Sequence, residues 1–288
     1  VFMGGPSKVI VERVQTSDNI SDALERLKNK RWYYLAVPGL GDGETDTVVE
    51  YIKEQRTQYH KTFKAILPLA AADNEGIINF ATDNIKVGAK TYTTAEFCCR
   101  IAGILAGLPL NRSATYYTLP EVESITESET PDDDVDNGKL ILINDGTKIK
   151  IARGVNSLTT TTEDKGEDFK KIKIIEAVDM IRDDIRATFE DEFVGKVENS
   201  YDNKIVFIAA VNKYFKDLAN RGVLYDKYDN KAEIDIDETR EWLSKTRDVS
   251  SWDDEKIKTA NTGTNVFVRA SIQIQDAIED LKFGIYIE

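Results

Sequence analysis

Hydrophobic and polar positions along the chain follow two periods. Residues 8–14 (KVIVERV), 31–37 (RWYYLAV), 63–69 (FKAILPL) and 77–80 are short β-branched or aromatic runs that read as strands. Between the first two, Ile20, Ala23, Leu24 and Leu27 fall at helical spacing behind the capping residues Ser17, Asp18 and Asn19. A glycine-rich loop at 39–43 leads into a helix that runs to about Gln58. Residues 94–108 form an apolar, Ala/Gly-rich helix stopped by Pro109. Strands alternating with helices predict a parallel sheet covered on both faces.

The pattern then changes. Residues 121–137 carry eight acids and no base, with Ser, Thr and Pro131 between them, and read as a mobile surface loop. Residues 139–152 are two β-rich runs around Asn144-Asp145-Gly146, a strong hairpin signal. A strand is expected at 171–175, followed by a helix to about 193 with Ile174, Val178, Ile181, Ile185 and Phe189 on one face. A second helix spans about 204–220 and ends at Arg221-Gly222. A strand at 233–237 and a helix at 238–245 follow. Residues 265–275 alternate strictly, with Val266, Val268, Ala270, Ile272 and Ile274 on one side, which predicts a strand with one covered face. A short helix at 276–281 then leads to a last strand, 283–288, in which Phe283, Ile285 and Ile287 alternate with Gly284, Tyr286 and Glu288. The expected class is α/β passing to α+β. The expected domains are 1–165, with a parallel-type sheet, the acidic loop and the hairpin, and 166–288, ending in an exchangeable strand.

Charge narrows the partners. Fifty-one acids against 38 bases give a net −13, which opposes binding to nucleic acid, where Lys and Arg must neutralise phosphates. It also opposes docking on anionic lipid. No apolar run approaches the ~20 residues of a membrane-spanning helix. Cys98 and Cys99 are adjacent, which is no disulfide framework and fits a reducing compartment. The chain starts at Val1 rather than methionine, so a preceding segment is expected.

Each chemical motif stops short of completion. The 39–43 loop sits where a dinucleotide loop would, but Glu44 replaces the third glycine of G-x-G-x-x-G, and a carboxylate there competes with phosphate for the helix start. Asp132, Asp134 and Asp136 have the opening spacing of a calcium loop, but Asn137 and Ile143 hold its glycine and bidentate-glutamate positions. Asp183-Asp184 and Glu190-Asp191-Glu192 lie beside Arg182 and Arg186 and read as a wet helix face. His60 is the single histidine and sits just past a helix. Cys98 and Cys99 read as core fillers. No G-x-S-x-G elbow occurs. No cofactor, metal or catalytic residue is therefore assigned. A nucleotide-binding α/β domain using the 39–43 loop remains the alternative reading. The terminal strand either completes its own sheet or offers its edge to another chain.

Four blocks resemble contractile-tail sheath proteins, in that family's order: 100–117 (RIAGILAGLPLNRSATYY), 142–160 (LINDGTKIKIARGVNSLTT), 163–184 (EDKGEDFKKIKIIEAVDMIRDD) and 260–288 (ANTGTNVFVRASIQIQDAIEDLKFGIYIE). The nearest resemblance is to the sheath type of defective prophages and R-type bacteriocins of Gram-positive bacteria. It implies hexameric rings of identical subunits stacked around an inner tube, with baseplate and tail terminator as further partners. Assembly in the bacterial cytoplasm and contraction in a virion tail or released particle are implied as well. It makes Phe283, Gly284, Ile285, Tyr286, Ile287 and Glu288 an arm that completes a neighbour's sheet, with 166–288 near the tube and the N-terminal half farther out. Family members carry an N-terminal arm ahead of the segment resembling residues 1–14. The acidic residues Asp132, Asp133, Asp134 and Asp136 are expected to face basic partners.

Overall fold

In the computed structural model of the chain, residues 1–14, 19–41, 43–163 and 165–287 are described. The fold is mixed α/β, with a parallel sheet and hairpins. Two units form, Val1–Asp179 with Ala277–Glu288, and Met180–Asp276.

The first unit is built on β2 (Lys64–Pro68), whose side chains sort by parity as a two-residue period requires. Ala65 and Leu67 join Leu24 of α1 (Ile20–Leu27) and Val48 and Ile52 of α2 (Glu44–Thr57). Ile66 faces the other way, into a cluster with Phe97, Ile101 and Ile104 of α3 (Thr94–Gly107). Strand β1 (Tyr34–Ala36) pairs parallel with β2 on one side, β3 (Ile77–Phe80) on the other, and β6 (Lys139–Leu140) follows β3. The parallel sheet covered on both faces is thus as the periodicity predicts.

Helix starts follow local chemistry. Asn19 caps α1 and Thr93 caps α3, each in a reciprocal capping box with Asp22 or Glu96. Ser17 and Asp18, also read as caps, lie outside the described residues. The segment Val1–Gly4 crosses α3 where two glycines leave room. A Cβ on Gly103 would come within 2.1 Å of the Val1 carbonyl oxygen, and one on Gly107 within 1.8 Å of that of Gly4.

Several expectations are corrected. Residues 8–14 form no strand; Glu12 is drawn instead to Arg26 and Lys30, at 2.6 and 2.9 Å. The run 139–143 divides, Lys139–Leu140 joining the parallel sheet and β7 (Leu142–Asn144) pairing with β8 (Ile149–Ile151) as the hairpin. Leu142 is diverted because its N–H donates to Thr82 Oγ1 at 2.8 Å. Gly146 takes φ +89° at the turn, where Asp145 accepts from the Thr147 and Lys148 N–H groups. The acidic stretch is not all loop: Pro131 opens α4 (Pro131–Asp136), as proline at a first helical position does, and Ser124 bridges to Lys86. Residues 172–175 start α5 (Ile172–Glu192) rather than a strand, since Ile172, Ile174 and Ile175 continue its buried stripe. The hairpin β4 (Ile85–Val87) and β5 (Lys90–Tyr92), turned at Gly88, was too short to signal itself.

The second unit contains α6 (Tyr201–Asn220), with Phe207, Ile208, Val211, Phe215 and Leu218 buried on its inner face. Phe207 meets Phe189 and Phe193 edge-on, at 5.1 Å each. Strand β9 (Lys231–Ile234) precedes α7 (Ile236–Ser244), and α8 (Asp254–Thr259) packs with it through Leu243, Val249 and Ile257. The alternating run 265–275 yields only a four-residue strand, β10 (Val268–Ser271). Its extension is interrupted where Gln273 N–H donates to the Asn230 side chain, and it resumes as a bridge between Ile274 and Leu224.

Candidate assembly surfaces

The end of the chain departs most from expectation. Residues 276–281 form no helix, and 283–287 form no strand within the chain. Glu288 lies outside the described residues. Gln275 N–H donates to the Val223 carbonyl, at 2.9 Å. Beyond it the apolar side chains face outward: Ile278 is 99% exposed, Phe283 77%, Ile285 75% and Ile287 94%. The half-buried acid Glu279 is held by Arg153 at 3.0 Å, and Arg153 also binds Asp280. The ribbon thus turns its charge toward its own unit and its greasy side chains to solvent, the reverse of a settled surface strand.

The second unit carries an exposed strand edge. In the antiparallel pair, Arg269 lies opposite Glu233 and Ala270 opposite Ala232. Asp235 N–H donates to Phe267 at 3.0 Å, which fixes the phase of the ladder. Residues 267, 269 and 271 bond inward, so Val268 and Ala270 turn their backbone groups outward. The outward positions on β9 are Ala232 and Ile234, and Ala232 is capped. Its N–H donates to Asn212 Oδ1 at 2.6 Å and its carbonyl accepts from Asn212 Nδ2 at 3.2 Å. Among the described residues, no hydrogen bond reaches the outward groups of Val268 or Ala270. The β9 edge is thus capped at Ala232, while the β10 edge is open.

The acidic cluster sits on α4. Asp132, Asp133 and Asp136 are exposed, whereas Asp134 is half-buried. Asp134 accepts from Lys139 at 2.7 Å and from Ser128 at 2.6 Å, and those bonds hold its carboxyl below its ordinary range. Three of the four acids therefore present charge outward. No cluster that could hold a metal ion is found among the described residues.

A buried ion network stands behind β2. Asp179 accepts two hydrogen bonds from Arg56, at 2.9 and 3.1 Å, and one from Lys64 at 2.9 Å. Lys64 also meets Glu176 at 3.0 Å, Tyr34 donates to Glu176, and Glu75 joins Arg56 to Lys165. Three cations balance three carboxylates. Burial alone would raise Asp179, but Lys64 and Arg56 overcome it and hold the carboxyl low. Burial opposes the charge on Lys64 too, and Glu176 and Asp179 win, keeping it above its usual value. This network clamps the first turns of α5 to the sheet. A single lysine inside an apolar strand run was its faint trace in the sequence.

The enzyme-like features fall away. Gly41 N–H donates to the Glu44 carboxylate at 2.7 Å, so the 39–43 loop already holds its own anion; Asp42 lies outside the described residues. Cys98 is buried and donates to the Thr94 carbonyl, and burial raises its thiol, as it does that of Cys99. No helix among the described residues is long and apolar enough to cross a membrane.

Comparison with known proteins gives a consistent result. Residues 14–157 match the phage tail sheath protein central domain, and 164–288 the phage tail sheath C-terminal domain. A tail sheath protein of Clostridium phage phiCD119 is 38% identical over 283 residues, covering 97% of this chain and 79% of the relative. A sheath tail protein of Desulfitobacterium hafniense superposes with TM-score 0.68 at 21% identity, over 74% of this chain and 52% of that one. One from Listeria innocua gives TM-score 0.69 at 15% identity, over 91% and 61%. The chain thus spans little more than half the length of these two solved proteins.

Proposed function

Because the chain belongs to the phage tail sheath family, a family of structural rather than catalytic proteins, we propose that it polymerises as stacked hexameric rings around an inner tube and contracts to drive that tube through a target envelope. The observation that carries the reading is the pairing of an unpartnered apolar ribbon with an open β-edge. Residues Phe283 to Ile287 of one copy would add to the outer edge of β10 in another. Face parity supports the match. Phe283, Ile285 and Ile287 would extend the side of Val268 and Ala270, leaving Gly284 and Tyr286 beside Arg269 and Ser271.

The magnitudes favour a mesh over a dimer. A five-residue strand offers about five hydrogen bonds at a net ~1 kcal/mol each. Association costs an estimated ~4–15 kcal/mol, so one arm alone is marginal. Each subunit that gives and receives an arm gains through effective concentration. Such arms could stay paired while the packed bodies move between two arrangements. In this proposal residues 166–288 lie near the tube and 1–165 farther out, and baseplate and tail terminator close the two ends. Asp132, Asp133 and Asp136 face basic groups on neighbours or tube. Assembly takes place in the bacterial cytoplasm, before the particle is released.

Negative-stain microscopy of the protein with and without a tube protein tests this. Helical sheaths that follow the tube are expected. Isolated closed rings, or no polymer at all, would refute it.

A further inference from the structure

The terminal ribbon has a fixed root. Among the described residues, the side-chain ties from 278–287 to the rest of the chain converge on Arg153, which follows β8 and binds both Glu279 and Asp280. The guanidinium is held firmly protonated, chiefly by Asp280. Without the Arg153 contact, 278–287 would be a free tether with a reach of roughly 33 Å, at ~3.3 Å per extended residue. With it, the free part shortens to 281–287, roughly 23 Å by the same rise.

We infer that Arg153 is a positioning clamp: it pins Glu279 and Asp280 to the subunit's own first unit, so that the donated strand leaves from a set point and direction. The inference rests on the strand-donation reading and adds its control. Shortening a tether raises the local concentration of its end near any edge within reach and excludes edges beyond it. The clamp thereby selects which neighbouring copy receives the strand. Its charged, partly exposed character makes it releasable: screening by salt loosens it, and a body movement that displaces β8 would open it.

Limited trypsin digestion of the unassembled chain tests the clamp. Trypsin cuts after Lys282 and must draw several residues on each side into its cleft, so Asp280 has to leave Arg153 first. Arg153→Gln, which leaves the cleaved sequence unchanged, should release the hexapeptide 283–288 roughly fivefold faster, about 1 kcal/mol at tenfold per ~1.4 kcal/mol. Glu279→Gln/Asp280→Asn should do the same once its rate is divided by that of the matching free peptide 276–288. Combining all three changes should add nothing further. High salt should bring the unmodified chain up to the rate of the variants. A wild-type rate for Arg153→Gln, or additive effects, would overturn the clamp. Strand donation is judged separately, by whether a chain lacking 283–288 polymerises. Normal polymers would remove that reading and leave the trypsin result to decide the clamp alone.

Discussion

Strand β2 and the terminal ribbon are composed alike and treated oppositely. Both are short, β-rich and apolar, KAILP in one and FGIYI in the other. β2 is paired on both edges and buried on both faces, with Ala65, Ile66 and Leu67 fully enclosed. Residues 283–287 have neither an edge partner nor a covered face among the described residues. Composition therefore marks a segment as a strand without saying whose sheet it joins. What distinguishes the two is how far their backbone groups are satisfied, and on the strand-donation proposal the ribbon's are completed by a second chain.

The sharpest way to break the comparison is to remove the ribbon. A chain ending at Lys282 should fold with unchanged thermal stability, because residues 283–287 touch so little of it. It should form no sheath-like tubes in micrographs. Tubes of normal length would mean that the ribbon is not the link.

Next comes the clamp behind β2. Asp179→Ala would leave Lys64 and Arg56 buried without their shared carboxylate, a change that typically costs ~3–5 kcal/mol. Denaturant unfolding should show a large drop in midpoint. Replacing Lys64 with methionine together with Asp179→Asn should recover part of it, since an unpaired buried charge is worse than none.

A matched pair of truncations comes third. Ile66→Ala should destabilise the chain by ~2–5 kcal/mol through a cavity in a closed core. Ile285→Ala should change folding stability by less than ~0.5 kcal/mol, as exposed substitutions do, yet raise the protein concentration needed for polymerisation. Equal effects on folding would erase the distinction between the two strands.

How much of this was legible in sequence follows the same line. The parallel sheet, its helices and the Asp-Gly hairpin were readable because parity, caps and turn residues act locally. The strand expected at 8–14 failed because Glu12 found two cations on and just after α1. The run at 171–175 failed because Ile172, Ile174 and Ile175 fit a short alternating strand as well as the start of a helical stripe. The terminal segment read as a strand, with its pairing left open between its own sheet and another chain, and 283–287 form no strand here. The Asn212 cap on β9 and the Arg153 root were invisible, since each joins residues 20 or more positions apart through geometry alone.

Acid should expose the buried network next. Asp179 and Glu75 are both held low in the folded chain, against burial, by Lys64, Arg56 and Lys165. Their contribution is complete above the ordinary carboxylate range near pH ~4 and is lost as pH falls through the lowered folded values. Lys64 and Arg56 are raised, so their share persists up to their ordinary range and is lost only as alkali passes the folded values. A plateau from about pH 5 to 10 with a fall below it is expected in urea unfolding, on the reference values for free side chains. Asp179→Asn should flatten the acid limb; an unchanged limb would assign the fall to other carboxylates.

The smallest effect is expected from the acidic helix, and it separates surface charge from strand pairing. Asp132, Asp133 and Asp136 point to solvent, whereas Asp134 is occupied by Lys139 and Ser128 and should be left in place. Changing the three exposed acids to asparagine should leave folding nearly untouched, because few contacts are lost. If α4 meets basic groups in the assembled sheath, polymerisation should lose part of its dependence on salt while the tubes keep their form, since screened charges tune association and the backbone ladder sets the geometry. The salt series, run on the triple variant and on Ile285→Ala side by side, divides the two contributions. The first should change the slope with ionic strength, and the second should shift the threshold at every ionic strength. An unaltered slope for the triple variant would take α4 out of the interface and leave the ribbon as the carrier of assembly.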